Sequence, residues 1–103
     1  MSHQTIRLKD WARLPAGRYR RDGPYSGEAF RDDVLAPALR GCDNVTLDLS
    51  GVYGLASSWT EEVFGGLVRV SKLTPEQLRK RLDISLNPEL QKSQIESYIA
   101  DAA

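Results

Sequence analysis

The sequence predicts an α/β fold, with a mixed, mostly parallel sheet of about four strands and helices packed mainly on one face of the sheet. Two observations lead to this prediction. Apolar residues recur either at two-residue spacing, which is typical of strands, or at three- and four-residue spacing, which is typical of helices. The two kinds of segment alternate along the 103 residues, and this alternation favours parallel strands joined by right-handed helical crossovers.

Composition limits the class of protein. A chain of 103 residues has the length of one ordinary domain, so we expect residues 1–103 to form a single domain. Fourteen basic side chains balance fourteen acidic ones, which disfavours nucleic acid as the main partner. Cys42 is the only cysteine, and no apolar run approaches the ~20 residues that span a bilayer. We therefore expect a cytoplasmic protein without a disulfide or a membrane segment.

The first quarter of the chain predicts two short extended segments. Residues 5–11 alternate weakly and predict an edge strand. Residues 18–21 predict a second extended piece, and it is followed by a turn at residues 22–24, which contain Gly and Pro.

A helix is predicted over residues 26–41, since apolar residues recur there at helical spacing. Ser26 is the expected N-cap, and Gly41 is expected to end the helix in a left-handed conformation. Pro37 has no N–H group, so we expect a kink or break near residues 33–35.

The clearest strand covers residues 44–50, in which Val45, Leu47 and Leu49 alternate with polar residues, and it should lie in the centre of the sheet. A loop follows over residues 51–56. Ser58 and Glu61 then have the spacing of a capping box, which predicts a buried helix from Ser58 to about Lys72.

The last third of the chain predicts a helix, a strand and a helix. Thr74 and Gln77 form a second capping box, with Pro75 at the first helical position, for a short helix to about Lys80. Residues 82–86 predict a strand. Asn87 is the expected cap of a final helix whose apolar face contains Leu90, Ile95, Tyr98 and Ile99.

Few residues are suited to catalysis or metal binding. His3 is the only histidine and lies near the chain end, so a catalytic triad is not expected. One Cys and one His cannot form a structural zinc site. We predict no enzymatic activity, no metal and no cofactor.

Two alternatives stay open beside that prediction. A small nucleotide-binding or enzymatic domain would use Asp48, Ser57 and Glu62, near the carboxyl end of the central strand. A nucleic-acid adaptor would use Arg18, Arg20 and Arg21, which stand beside tyrosines.

Gly65 and Gly66 lie inside the predicted core helix, where each glycine costs roughly 1 kcal/mol relative to alanine. Close approach of another segment would offset that cost. The segment could belong to the same chain, or to a partner that docks on Glu62, Gly65, Gly66 and Arg69, which share one side of the helix.

The run VTLDLSGVYGLASSWTEEVFGGL, residues 45–67, resembles the strand, loop and helix of STAS domains, which occur in sulfate transporters and anti-sigma-factor antagonists. It resembles most closely a stand-alone STAS-like domain of unknown function. The segment GRYRRDGPYSGEAFRDDVLAPAL, residues 17–39, is also similar to that branch. The resemblance therefore covers most of the chain.

This resemblance implies a regulatory module that binds a protein partner, such as a kinase-like ATPase, and homo-oligomers remain open. Ser57, with Ser58 beside it, matches the serine that is phosphorylated in anti-sigma-factor antagonists; the alternative role of the two serines is helix capping alone. Ala56 and Trp59 depart from the acidic residue and the glycine that flank that serine in the family motif. The predicted partner-binding residues are Gly54, Ala56, Ser57, Ser58, Glu62, Gly65, Gly66 and Arg69.

Overall fold

A three-stranded parallel sheet forms the centre of the protein. The computed structural model describes residues 2–85 and 90–103. The strands β1 (His3–Arg7), β2 (Asn44–Asp48) and β3 (Leu82–Ser85) lie in the order β1-β2-β3. β2 is central, as predicted, and its neighbours both run parallel to it. The α/β class is confirmed, whereas the described residues contain three strands rather than about four.

The missing strand is the one predicted at residues 18–21. That segment forms no strand: Tyr19 is extended, but Arg20–Asp22 forms a 3-10 turn, and the Asp22 carboxylate accepts a hydrogen bond from the Tyr19 N–H at 2.9 Å. Local hydrogen bonding of this kind competes with strand formation. The first strand also differs from prediction, because it covers His3–Arg7 and is followed by a single helical turn, α1 (Leu8–Trp11), which buries Leu8.

The helix predicted over residues 26–41 is present in three parts: α2 (Gly27–Phe30), a π-helical segment (Arg31–Leu35) and α3 (Ala36–Gly41). Ser26 caps it as predicted, because its hydroxyl accepts from the Ala29 N–H at 3.1 Å. The irregularity expected from Pro37 is the wide π turn that precedes it. Gly41 does not adopt the left-handed conformation, since the helix ends in extended Cys42 and leads directly toward β2.

The helix α4 (Ser57–Arg69) begins one residue before the predicted start and ends earlier than Lys72. The predicted capping box of Ser58 and Glu61 is wrong: Ala56 is the N-cap, and no side chain caps the helix. At the other end, the N–H groups of Val70 and Ser71 both donate to the Gly66 carbonyl. Lys72 then has φ 63° and ends the helical path.

The capping box of Thr74 and Gln77 is confirmed by hydrogen bonds of 3.1 and 2.9 Å, and it opens α5 (Pro75–Arg81), which continues directly into β3. The last helix, α6 (Leu90–Ala102), packs against α4 and buries Ile95. Leu86, predicted to end the strand, and Asn87, predicted to cap the last helix, lie outside the described residues.

The core lies between the sheet and the helices. Val45 and Leu47 of β2 are buried, whereas Thr46 and Asp48, which alternate with them, are half-exposed. Packing of the helices mainly on one face stays a prediction. The largest fully buried side chains are Trp59, Arg31, Phe30, Phe64, Leu8, Leu35, Leu39, Leu47, Leu67, Ile95, Val45 and Val63. None of the helices described here has the length and apolar character needed to cross a bilayer.

Candidate functional site

Two loops meet at the carboxyl end of the sheet and carry exposed apolar side chains. The Tyr53 N–H donates to the Arg13 carbonyl at 2.8 Å, which joins the loop after β2 to the loop after α1. Tyr53 is 80% exposed, and Leu14, next to Arg13, is 65% exposed. Large apolar side chains that stay in water on adjoining loops are candidates for an interaction site. We call Leu14, Tyr53, Ala56 and Ser57 the strand-end surface.

Ser57 lies at the first position of α4 and is exposed. Its side chain borders a small cleft of about 80 Å³ that Leu55, Thr60 and Gln94 also line. The first turn of α4 contains no acidic side chain. Because the amino end of a helix carries partial positive charge, an added phosphate at Ser57 would be favoured electrostatically.

Asp48 stabilises the turn at the start of the loop that joins β2 to α4. Its carboxylate accepts from the Ser50 hydroxyl at 2.6 Å and from the Ser50 N–H at 2.9 Å. These hydrogen bonds hold the pKa of Asp48 below its usual value, and the charges of Lys9 and Arg7 lower it further. Asp48 is therefore an ionised, structurally engaged carboxylate.

Five charged side chains form a connected network beside α4, which we call the arginine–glutamate cluster: Arg18, Arg31, Glu61, Glu62 and Arg69. Arg31 Nη1 contacts Glu62 Oε2 at 2.5 Å and the Glu62 carbonyl at 3.1 Å. Arg18 Nη1 donates to Glu61 at 2.6 Å and to Glu62 at 3.2 Å. Arg69 binds both carboxylate oxygens of Glu61, at 2.5 and 3.1 Å.

The pair at the centre of the cluster is buried. The side chains of Arg31 and Glu62 are only 2% and 7% exposed. A buried ion pair needs its remaining groups satisfied, and Arg31 Nε meets this need by donating to Asp32 at 2.8 Å. Burial alone would lower the pKa of Arg31, but its bonds to Asp32 and Glu62 outweigh that effect and raise it.

Gly66 provides the space for Arg31. A Cβ atom at position 66 would collide with Arg31 Nη1 and would lie 3.0 Å from its Cδ. At Gly65 a Cβ would meet the outer ends of Glu61 and Arg69 instead. Both glycines therefore admit side chains of the same chain, which agrees with the intramolecular interpretation of the glycine pair.

The predicted partner-binding residues separate into two groups. Gly54, Ala56, Ser57 and Arg69 are exposed and Ser58 is half-exposed, whereas Glu62, Gly65 and Gly66 are buried by the protein's own segments. Arg69 is thus the accessible member of the predicted helix face. Neither Ser57 nor Ser58 caps α4, so the interpretation of both as capping residues is wrong.

The burial of Arg31 was not predicted from the sequence, because the residues around an arginine inside a helix do not indicate that it is buried. The one available signal was indirect: Gly65 and Gly66 leave a gap on the surface of their helix, and another group of the protein or of a partner must fill it. A long side chain from the preceding helix is one such occupant. The sequence predicted the approach of another segment to Gly65 and Gly66, and did not predict that a single arginine side chain fills the gap.

The contacts weaken the basis of both alternative functions. Glu62 is engaged by Arg31 and Asp48 by Ser50, so these two carboxylates belong to separate hydrogen-bonded groups. Arg20 forms a two-bond pair with Asp33, at 2.7 and 3.0 Å, and Arg21 stacks over Tyr19. Within residues 2–85 and 90–103, no three His, Cys, Asp or Glu side chains converge to form a metal site.

These features define a small α/β domain whose parallel sheet presents an apolar, serine-containing surface at its carboxyl end. The family model described as a STAS-like domain of unknown function (DUF4325) matches residues 26–89. The chain belongs to this family, which confirms the resemblance drawn from the sequence. Neither the curated proteins nor the solved structures contain a significant match to the chain.

Proposed function

We propose that this STAS-like domain is a non-catalytic regulatory module that binds a protein partner through the strand-end surface, and that phosphorylation of Ser57 weakens the binding. The observation that carries the proposal is the exposure of Tyr53 and Leu14 on two hydrogen-bonded loops, one of which leads to the exposed Ser57 at the start of α4. When a partner covers two exposed apolar side chains of this kind, their surface leaves the water, and this favours binding.

The position of His3, which is the only histidine, does not support a catalytic role for Ser57. His3 lies at the amino end of β1, where its Nε2 is 2.8 Å from the Thr46 hydroxyl. Ser57 follows the loop at the carboxyl end of β2. A nucleophilic serine needs a base within hydrogen-bond reach, so binding explains the serine better than chemistry does.

The proposed switch has a simple physical basis. A phosphate adds up to about two negative charges and a hydration shell. Within the strand-end surface it would have to be desolvated whenever a partner covers Leu14 and Tyr53, which opposes binding. At the same time the amino end of α4 stabilises the phosphate in the free protein. The modifying partner would be a serine kinase.

Binding is tested with the partner that the intact chain captures from cells, purified and titrated by interferometry. We expect Tyr53→Ser and Ser57→Asp each to raise its Kd about tenfold, since anchor residues dominate interface energies. Val70→Ser and Ser97→Asp are matched controls, because Val70 is 55% exposed at the other end of α4 and Ser97 is exposed on α6. Equal Kd values for Tyr53→Ser and Val70→Ser would refute the proposed surface.

Phosphorylation is tested separately by incubating the chain with ATP and native extract, followed by mass spectrometry of the peptide that contains Ser57. We expect an added phosphoryl group on that peptide, absent in Ser57→Ala and retained in Ser97→Ala. Phosphate at Ser97 or at Ser58, with none at Ser57, would contradict the switch.

A further inference from the structure

An apolar groove of about 450 Å³ lies between α5, β3 and α6, apart from the strand-end surface. Leu78, Leu82, Ile84, Ile95 and Ile99 line it. Its volume is within the ~300–1,000 Å³ that is typical of ligand sites. The apolar lining means that the groove favours an occupant with apolar side chains.

The groove borders β3, which is the last strand in the order β1-β2-β3. Leu82, Asp83 and Ile84 all line it, although consecutive residues of a strand point to opposite faces of the sheet. For all three to line one groove, the backbone of β3 must border it as well as the side chains. Among residues 2–85 and 90–103, β3 pairs with β2 alone.

The backbone of β3 has hydrogen-bonding groups on the side away from β2. The Ser85 carbonyl accepts from the Leu49 N–H at 3.0 Å, so Ser85 faces β2. In a parallel ladder, alternate residues of a strand face opposite neighbours. Ile84 therefore directs its N–H and C=O groups away from β2, as an additional strand would require. The Leu82 carbonyl has the same direction, whereas the Leu82 N–H donates to the Leu78 carbonyl at the end of α5.

Charge indicates which sequence would fit. Asp83 of β3 and Glu96 of α6 lie on the groove with one basic residue, Arg79 of α5. None of the three takes part in a salt bridge within the described part of the chain. The net negative charge favours basic residues in the occupant.

We infer that this β3 groove binds an extended segment of a partner protein, in which apolar and basic residues alternate, by adding the segment to the sheet as a strand. Backbone hydrogen bonds to the Leu82 carbonyl and to the N–H and carbonyl of Ile84 would supply affinity. Alternate apolar side chains would contact Ile95 and Ile99, while basic side chains would lie near Asp83 and Glu96. The inference does not depend on Ser57 or the strand-end surface.

The test measures fluorescence anisotropy of labelled peptides added to the full chain. The first peptide is a lysine–valine repeat, the second replaces lysine by glutamate, and the third keeps lysine–valine but is N-methylated at alternate amides. We expect the first to bind and the other two to bind about tenfold more weakly, because like charge and lost strand pairing each oppose binding. Equal binding of the first and third peptides would exclude strand addition.

Charge reversal of the groove supplies the second arm. Asp83→Lys and Glu96→Lys should each weaken binding of the lysine–valine peptide by up to about fivefold, whereas Asp101→Lys, an exposed change on α6 outside the groove, should not. Circular dichroism checks that the variants are folded. The inference is overturned by no binding at about 1 mM peptide, which is the weakest affinity of interest, or by equal effects of Asp83→Lys and Asp101→Lys. It is also overturned if sedimentation shows a dimer that Asp83→Lys dissociates, because the groove would then hold a second copy.

Discussion

The buried guanidinium of Arg31 lies where a side chain at position 66 would otherwise stand. Desolvating such a group costs several kcal/mol unless its charge is paired and its N–H groups are bonded. Here the Glu62 carboxylate, the Glu62 carbonyl and Asp32 meet these needs. The helix cost of Gly66 is thus offset by the ion pair that it accommodates.

The two adjacent glycines should therefore respond differently to alanine. Gly66→Ala forces the Arg31 side chain from its pair and should lower the free energy of unfolding by roughly 2 kcal/mol. Gly65→Ala displaces only the outer ends of Glu61 and Arg69 and improves helix propensity, so the change should stay below about 1 kcal/mol. Urea denaturation of both variants measures the difference, and equal losses would contradict this account of Gly66.

At the scale of elements, the approach of α2 to α4 depends on another glycine. A Cβ at Gly27 would lie 2.6 Å from the Trp59 carbonyl oxygen, and a helix backbone has little freedom to move away. The same helix crossing places the Phe30 and Trp59 rings 5.5 Å apart and lets the Trp59 indole N–H donate to the Tyr25 carbonyl at 3.0 Å. Close packing of these elements thus requires the absence of a side chain at position 27.

Gly27→Ala should therefore lower the free energy of unfolding by about 1–3 kcal/mol, as overpacking does. Gly41→Ala is the matched control, since it lies at the end of α3 with nothing within 4 Å of its added Cβ. It should be neutral or raise stability by up to about 1 kcal/mol through a less flexible unfolded chain. Thermal unfolding compares them, and a stable Gly27→Ala variant would show that α2 can shift.

Elements with strong local signals were the ones that the sequence predicted well. The alternation in residues 44–50 identified β2 and its central place, and Ser26 and the Thr74–Gln77 pair marked helix starts through their own side chains. Segments governed by distant contacts were not predictable in this way. Glu61 has the spacing of a capping residue, yet its carboxylate pairs with Arg69 and with Arg18, which is forty-three residues earlier in the sequence.

The candidate site, like the fold, was predictable only where the sequence has a local signal. Ser57 is exposed at a helix start, as its place after β2 indicated, because loops after parallel strands reach the surface. The exposure of Leu14 and Tyr53 could not be read from the sequence, where an apolar residue is equally compatible with burial. The burial of Glu62 depends on Arg31, thirty-one residues earlier, and no periodic pattern reports such a pairing.

For the molecule as a whole, the arginine–glutamate cluster makes stability depend on pH. Hydrogen bonds from Arg69 and then Arg18 hold the pKa of Glu61 below its ordinary value of 4.5. As the pH falls below that value, the unfolded chain takes up a proton that the folded chain resists. The contribution of Glu61 to stability is therefore present above about pH 4.5 and is lost as the pH falls through the folded-state pKa.

Glu61→Gln should consequently be less stable than the parent chain at about pH 7, and the difference should shrink as the pH is lowered toward about 3. Glu76→Gln, an exposed change on α5, is the control for the removal of a carboxylate outside the cluster. Urea denaturation across this range supplies the free energies. A difference between Glu61→Gln and the parent that is constant with pH would mean that the pKa of Glu61 is not lowered by folding.

The strand order β1-β2-β3 also has a consequence for biosynthesis. Because every neighbour in the sheet is parallel, each pairing joins residues as distant in sequence as His3 and Asn44 or Val45 and Leu82. Such non-local pairings form slowly. While the chain emerges from the ribosome, β1 has no pairing partner until β2 is released, and β2 keeps an open edge until β3 follows. The nascent chain thus exposes the edge of β2 until β3 has been released, and chaperone binding before that point would protect it most.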